Sequence, residues 1–147
     1  MIVEAILPAA RQRLITLGDE APLIDAAGLL RDLEADLVVV RDSSGALAGV
    51  ITKTDVVRQI SHCQGASCMA TASAVMTRPV VHCRPGDLLT DVWSVMKERH
   101  LKNIPILDIN SHPIGVLNAR DALEALLEEL EYEEILLREY VMCVGYH

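Results

Sequence analysis

The chain has 147 residues, a formal net charge of −8, 51% hydrophobic residues and only 3% aromatic ones. That length suits one compact domain or two small subdomains, and the apolar fraction excludes a disordered chain. The core must be aliphatic, and stacking platforms for single-stranded nucleic acid, which need exposed rings, are excluded.

The charge is uneven. Residues 1–120 hold 12 basic and 13 acidic side chains, whereas residues 121–147 hold Arg138 and eight acids. There is no basic footprint for DNA or RNA. No apolar run reaches the roughly 18 residues of a bilayer span, and Met1–Leu7 lacks a basic leader pattern. The expectation is therefore a cytoplasmic chain, with no membrane partner, whose Cys63, Cys68, Cys83 and Cys143 stay reduced.

An internal repeat organises the rest. Shifting the chain by 66 aligns Ile15 to Asp55 with Val81 to Asp121 without a gap, matching Asp25 with Asp91, Asp42 with Asp108, Gly49 with Gly115 and Asp55 with Asp121. Each copy opens with an expected short strand, Arg13–Leu17 or Pro79–Cys83. An amphipathic helix follows, from about Pro22 or Asp87. It carries Leu23, Ala26, Ala27 and Leu30 in one copy and Leu89, Val92, Trp93 and Met96 in the other, at i, i+3, i+4, i+7.

A hairpin comes next: Leu37–Val40 or Asn103–Leu107, a polar turn, and a strand ending in Gly49–Thr52 or Gly115–Asn118. A second helix starts near Lys53 or Ala119. The fold class is α+β, with two β-α-β-β-α repeats packed sheet to sheet about a pseudo-two-fold axis. The expected divisions are repeats at 6–60 and 75–130, a small polar linker at 61–74, and a helical extension at 131–147. The last helix runs to about Tyr140, with Leu126, Leu127, Leu130, Ile135, Leu136 and Leu137 packing beneath an acidic face.

The two strand-to-helix junctions, Gly49-Val-Ile-Thr-Lys-Thr-Asp55 and Gly115-Val-Leu-Asn-Ala-Arg-Asp121, carry the functional signal. Thr52 and Asn118 are natural N-caps, and Asp55 and Asp121 then reach the third helical position, a capping arrangement. The same geometry also makes a receptor. A helix N-terminus favours phosphate. A fixed carboxylate accepts from a ribose diol, and Thr52, Thr54 and Arg120 supply donors. Both readings stand at this stage. No nucleophile elbow, P-loop or zinc-protease motif is present, so no catalytic residue is expected. The Cys63-x4-Cys68 spacing, with His62 and His82 nearby, is not a zinc-ribbon pattern, so no metal is expected.

The doubled Gly-h-h-[Ser/Thr]-x-x-Asp element (h, hydrophobic), the lead-in Val75-Met76-Thr77-Arg78-Pro79-Val80 and the segment Leu101-Lys102-Asn103-Ile104-Pro105-Ile106 resemble a tandem pair of CBS domains. The resemblance spans about residues 6–130 and implies a disc-shaped module with two clefts between the repeats. It implies a regulatory role with no required cofactor, binding AMP, ADP, ATP, NADH or S-adenosylmethionine. Asp55 and Asp121 would hold ribose. Thr52, Thr54, Asn118 and Arg120 would lie on the phosphate side, Lys102 would reach phosphate in the partner repeat's cleft, and Lys53 belongs to the same ligand-binding set. Ile51, Val38, Ile104, Pro105 and Leu117 would line the adenine.

Two departures from the pattern imply unequal clefts. Asn118 replaces Ser or Thr, and Glu34 and Asp36 stand where the second copy has His100 and Lys102. The cleft joining Asp55 with Lys102 is expected to be the better nucleotide site, and the Asp121 cleft either to be weaker or to prefer a less charged ligand. The resemblance also implies a homodimer, with Trp93 in the core or the dimer interface, and an effector protein. The alternative is a ligand-free dimerisation module for a partner protein.

Overall fold

The computed structural model describes residues 1–62 and 69–145. A 3-10 turn (Val3–Ile6) leads into α1 (Leu7–Arg13), β1 (Thr16–Gly18), α2 (Leu23–Asp32), the hairpin β2 (Leu37–Arg41) and β3 (Leu47–Thr52), and α3 (Lys53–Ser61). The second half holds α4 (Ala72–Val75), α5 (Leu89–Glu98), the hairpin β4 (Asn103–Leu107) and β5 (Pro113–Asn118), and α6 (Ala119–Gly145).

The 66-residue offset holds to the level of single hydrogen bonds. Both hairpins are antiparallel and bulge at the same place, between Val40 and Arg41 and between Ile106 and Leu107. Each turn is organised by one aspartate. Asp42 Oδ1 accepts from the backbone N–H of Ser44 (2.8 Å) and Ala46 (3.1 Å), and Asp108 Oδ1 accepts from Asn110 and His112 (both 2.9 Å). This is the Asx pattern by which a short carboxylate replaces a backbone acceptor in a tight turn.

The opening strands differ. In the first repeat β1 pairs in parallel with β2, and Val39 N–H donates to the Ile15 carbonyl at 2.8 Å. The equivalent pair in the second repeat is Pro105 and Val81, and Pro105 has no N–H to give. The expected strand Pro79–Cys83 accordingly shrinks to a single bridge between Cys83 and Ile106. The second sheet is thus two-stranded, against three in the first.

Period-two alternation sorts the hairpin side chains onto two faces. Val38, Val40 and Ile51 join Leu23, Ala26 and Leu30 in one helix-facing core. Ile104, Ile106 and Leu117 join Leu89, Val92 and Met96 in the other. The opposite faces meet in a third layer of Leu37, Val39, Val50 and Val116, flanked by Leu14, Leu47 and Val80. The sheet-to-sheet arrangement expected from the repeat is therefore the one adopted.

The lead-in segments are exchanged between the repeats. Val3, Leu7 and Ala10 fill the core of the second repeat, and Ala72 fills that of the first. Two glycines permit the close approach. A Cβ on Gly49 would lie 2.6 Å from Met76 Sδ, and one on Gly115 would lie 3.0 Å from Ala10 Cβ and 3.1 Å from its carbonyl carbon. Ala10 and Met76 are themselves 66 residues apart, so the exchange obeys the pseudo-symmetry.

Helix α6 is one continuous element through residue 145. Its first turns pack through Ala122, Ala125 and Leu126. Leu127, Leu130, Ile135, Leu136 and Leu137, expected to pack beneath it, are instead exposed, Leu137 by 64%. The helix is about 40 Å long at 1.5 Å per residue, and its contacts with the second core are confined to its first turns. No helix among the described residues is long and apolar enough to cross a membrane.

Candidate functional site

The two motif carboxylates sit in different surroundings. Asp55, only 6% exposed, is closed on every side. Its Oδ2 accepts from Thr52 N–H (3.0 Å) and Thr52 Oγ1 (3.2 Å), while Thr52 Oγ1 accepts in turn from Asp55 N–H (3.4 Å). This is a complete capping box at the start of α3. Its Oδ1 accepts from Thr77 Oγ1 (2.9 Å), which belongs to the lead-in of the other repeat, and Arg58 lies 3.7 Å away. Thr77 is fixed by two backbone bonds with Val50 (2.8 and 3.1 Å).

Asp121 makes no such box. Asn118 caps α6 through Oδ1, accepting from the N–H of Arg120 (3.0 Å) and Asp121 (3.4 Å), and its Nδ2 donates to Asn103 Oδ1 (2.9 Å). The Asp121 carboxylate is left to Arg13, at the end of α1, which grips it with Nε at 2.6 Å and Nη2 at 3.0 Å. The side chains are 44% and 22% exposed. The bond to Asp121, followed by its charge and that of Asp36, raises the Arg13 pKa further, so the guanidinium is charged at every working pH.

Beside this pair a cleft of about 420 Å³ opens between the repeats. Leu14, Ile15, Leu37 and Val116 form its apolar wall, and Arg13, Asn103, Glu34 and Asp36 supply the polar groups. Its size lies within the usual range for small-molecule sites, about 300–1,000 Å³.

The structure redistributes the expected site residues. Val38, Ile51, Ile104 and Leu117 are buried beneath the helices, and the cleft wall is built from the alternate face, through Leu37 and Val116. Pro105 is fully buried. Lys102 lies beside Ala119 and Arg120 of its own repeat on a separate shallow cavity, and its carbonyl accepts from Ala119 N–H (2.8 Å). Thr54 and Arg120 are exposed, and Arg120 pairs with Glu124 at 3.5 Å. Lys53, also exposed, lies 3.9 Å from Asp36.

Sequence reasoning missed Arg13, Thr77 and Asn103 as partners of the motif. Arg13 was assigned to a strand, although Pro8 near a helix start, followed by Ala9, Ala10, Arg11 and Gln12, is a helical signal. Among the described residues no group of three or more His, Cys, Asp or Glu converges to hold a metal. Cys63 and Cys68, and the side chain of Cys143, lie outside the described residues.

Two interlocked α+β repeats with a cleft between them define a tandem-repeat module. The chain matches the CBS domain family over residues 3–62 and 72–128 and belongs to it. It is similar to an inosine-5'-monophosphate dehydrogenase of Nitrosopumilus maritimus, 24% identical over 106 residues, covering 72% of this chain and 21% of that one. It spans about a fifth of the length of the first curated relatives it matches.

Among solved structures it resembles CBSX2 in complex with AMP, with TM-score 0.75, 21% identity, and coverage of 86% of this chain and 96% of that one. It also resembles the CBS domain pair of protein MJ0100 in complex with 5'-methylthioadenosine and S-adenosyl-L-methionine, with TM-score 0.72, 20% identity, and coverage of 86% and 99%.

Proposed function

We propose that this CBS pair is a sensor of an adenosine-containing ligand, which it binds in the cleft beside Asp121. The observation that carries this reading is the 420 Å³ inter-repeat cleft, apolar on one wall, with Arg13 among its lining residues and Asp121 held by Arg13 beside it. The adenine fits the apolar wall of Leu14, Ile15, Leu37 and Val116. Asp121 offers acceptors to the ribose diol, and Asn103 offers its amide N–H. Neighbours of the same fold that hold AMP, or 5'-methylthioadenosine and S-adenosylmethionine, support the ligand class.

The Asp121 cleft takes precedence over the one at Asp55 because every strong donor around Asp55 already belongs to the protein. A diol there must first displace Thr77. Glu34 and Asp36 line the Asp121 cleft and oppose added negative charge, so we order the ligands AMP, adenosine and S-adenosylmethionine ahead of ATP. The compartment we propose is the cytoplasm, in line with the free, buried Cys83 thiol.

Titration calorimetry with adenosine, AMP, ATP and S-adenosylmethionine tests this. Binding of at least one of the first two or the last, weakened tenfold or more by Asp121→Ala, is expected. No binding by any of the four refutes it.

A second reading, a dimerisation module, rests on the apolar groove of about 440 Å³ between α5 and α6, lined by Trp93, Leu123, Leu126, Leu127 and Leu130. We propose that a second copy pairs there and that an effector protein reads the assembly. Sedimentation equilibrium of the parent and of Leu127→Glu measures it, with dimers expected only for the parent.

A further inference from the structure

We propose that Arg13 determines ligand specificity by changing partners: it pairs with Asp121 and turns to the ligand's single anionic group once the ribose diol takes Asp121. The proposal rests on the reading of the cleft above and names the class of ligand it takes: an adenosine compound with one anionic group, a monophosphate or a carboxylate.

Three observations converge on it. First, the Arg13 guanidinium is bidentate on Asp121, at 2.6 and 3.0 Å, and occupies both carboxylate oxygens. A diol needs those same acceptors, so ribose and Arg13 compete for one group. Second, Arg13 is itself a wall of the cleft, so a guanidinium released from Asp121 stays within the ligand's volume. Leaving it there unpaired is costly, and a planar fork matches a phosphate or carboxylate bidentately.

Third, Arg13 is the one cation lining this cleft among the described residues, and Glu34 and Asp36 line it too. One anionic group finds Arg13, and further phosphates lie against Glu34 and Asp36, of which only Asp36 has a cation nearby, Lys53 at 3.9 Å outside the lining. The same exchange also unties the end of α1 from the first turn of α6, because Arg13 and Asp121 are the last residue of one helix and the third of the other.

The exchange has two opposed consequences for a ligand. The protein loses its internal ion pair, which weakens any nucleoside, and gains a new pair only with a ligand bearing an anion. Comparing adenosine with AMP on parent, Arg13→Gln and Arg13→Lys proteins by titration calorimetry separates the terms. Circular dichroism confirms the fold of each variant.

For the parent, AMP should bind at least tenfold more tightly than adenosine. In Arg13→Gln the AMP preference should fall to about twofold or less while adenosine binds as tightly as to the parent or more tightly. Arg13→Lys, a point charge without the fork, should fall between. An unchanged AMP-to-adenosine ratio in Arg13→Gln overturns the proposal, as does an equal loss of both ligands, which would mark Arg13 as a purely structural tie. Failure of the parent to bind either compound overturns the cleft reading itself, and is distinguished from the other outcomes because it is read before any substitution is made.

Discussion

Replacing Asp55 with Ala should damage folding more than replacing Asp121, although the two residues occupy the same place in the repeat. Asp55 is 6% exposed and accepts from Thr52 N–H, Thr52 Oγ1 and Thr77 Oγ1 at 2.9–3.2 Å. Losing its half of a capping box costs about 1 kcal/mol. Losing the bond from Thr77, with a charged acceptor and across the repeat boundary, adds about 1–3 kcal/mol. Asp55→Ala should therefore lower stability by about 2–4 kcal/mol.

For a chain of this size that is a fall in Tm of about 5–15 °C, at about 2–4 °C per kcal/mol. Asp121 forfeits one partly exposed ion pair, and such pairs contribute about 0.2–1 kcal/mol. Its cap survives, because Asn118 supplies it. Urea denaturation followed by circular dichroism and Trp93 fluorescence gives both values. A double-mutant cycle with Thr77→Val should return a coupling of about 1 kcal/mol with Asp55. Equal losses for the two aspartate variants, or no coupling to Thr77, would refute the claim that Asp55 is a sealed structural acid.

Three further outcomes follow from the packing. Gly115→Ala should cost about 1–3 kcal/mol in chemical denaturation, because its Cβ would press on the Ala10 backbone at 3.1 Å rather than on a side chain that can swing away. Pro105→Val restores an N–H opposite the Val81 carbonyl, so hydrogen exchange at residue 105 should slow relative to an exposed amide if the second sheet regains its third strand.

The third concerns Cys83. Burial, and then the nearby Asp87, push its thiol up to about 12. It should resist iodoacetamide at pH 8 in the native protein and react once urea unfolds it, read by peptide mapping. The folded state holds this proton more tightly than the unfolded one. The contribution is therefore intact below about pH 9 and is lost as pH rises from 9 toward 12, so stability should decline across that window.

The scaffold was legible because the repeat transmits backbone demands. Asp42 and Asp108 match because each builds the same turn, and Gly49 and Gly115 because each admits a neighbouring segment. Local pattern gave the hairpins and the start of α3 and α6 at Lys53 and Ala119. It failed where the outcome depends on a partner distant in sequence. The strand at Pro79–Cys83 failed because its ladder needs a donor that Pro105, some 25 residues on, lacks. The two hairpin faces differ by one residue of register: Val38 and Ile51 face the helices, Leu37 and Val50 the other sheet, and only the three-dimensional faces tell them apart. The exposure of the α6 leucines follows from contacts with the second core that stop after the first turns of the helix, which no helical period encodes.

The motif itself also needed its surroundings. Asp55 and Asp121 are identical in sequence and in helical position, and the repeat alone assigns them one role. Their carboxylates differ because the lead-in segments differ. Thr77 reaches Asp55 from one lead-in, while its counterpart at the 66-residue offset is Arg11; Arg13 reaches Asp121 from the other, and its counterpart is Pro79. A hydroxyl held by the β3 backbone closes the first acid. On the reading proposed above, a half-exposed guanidinium at a cleft closes the second only until a ligand's charges replace it. Whether such an aspartate caps a helix or receives a ligand is therefore decided by how replaceable its present partner is, and that property resides in the exchanged segments rather than in the motif.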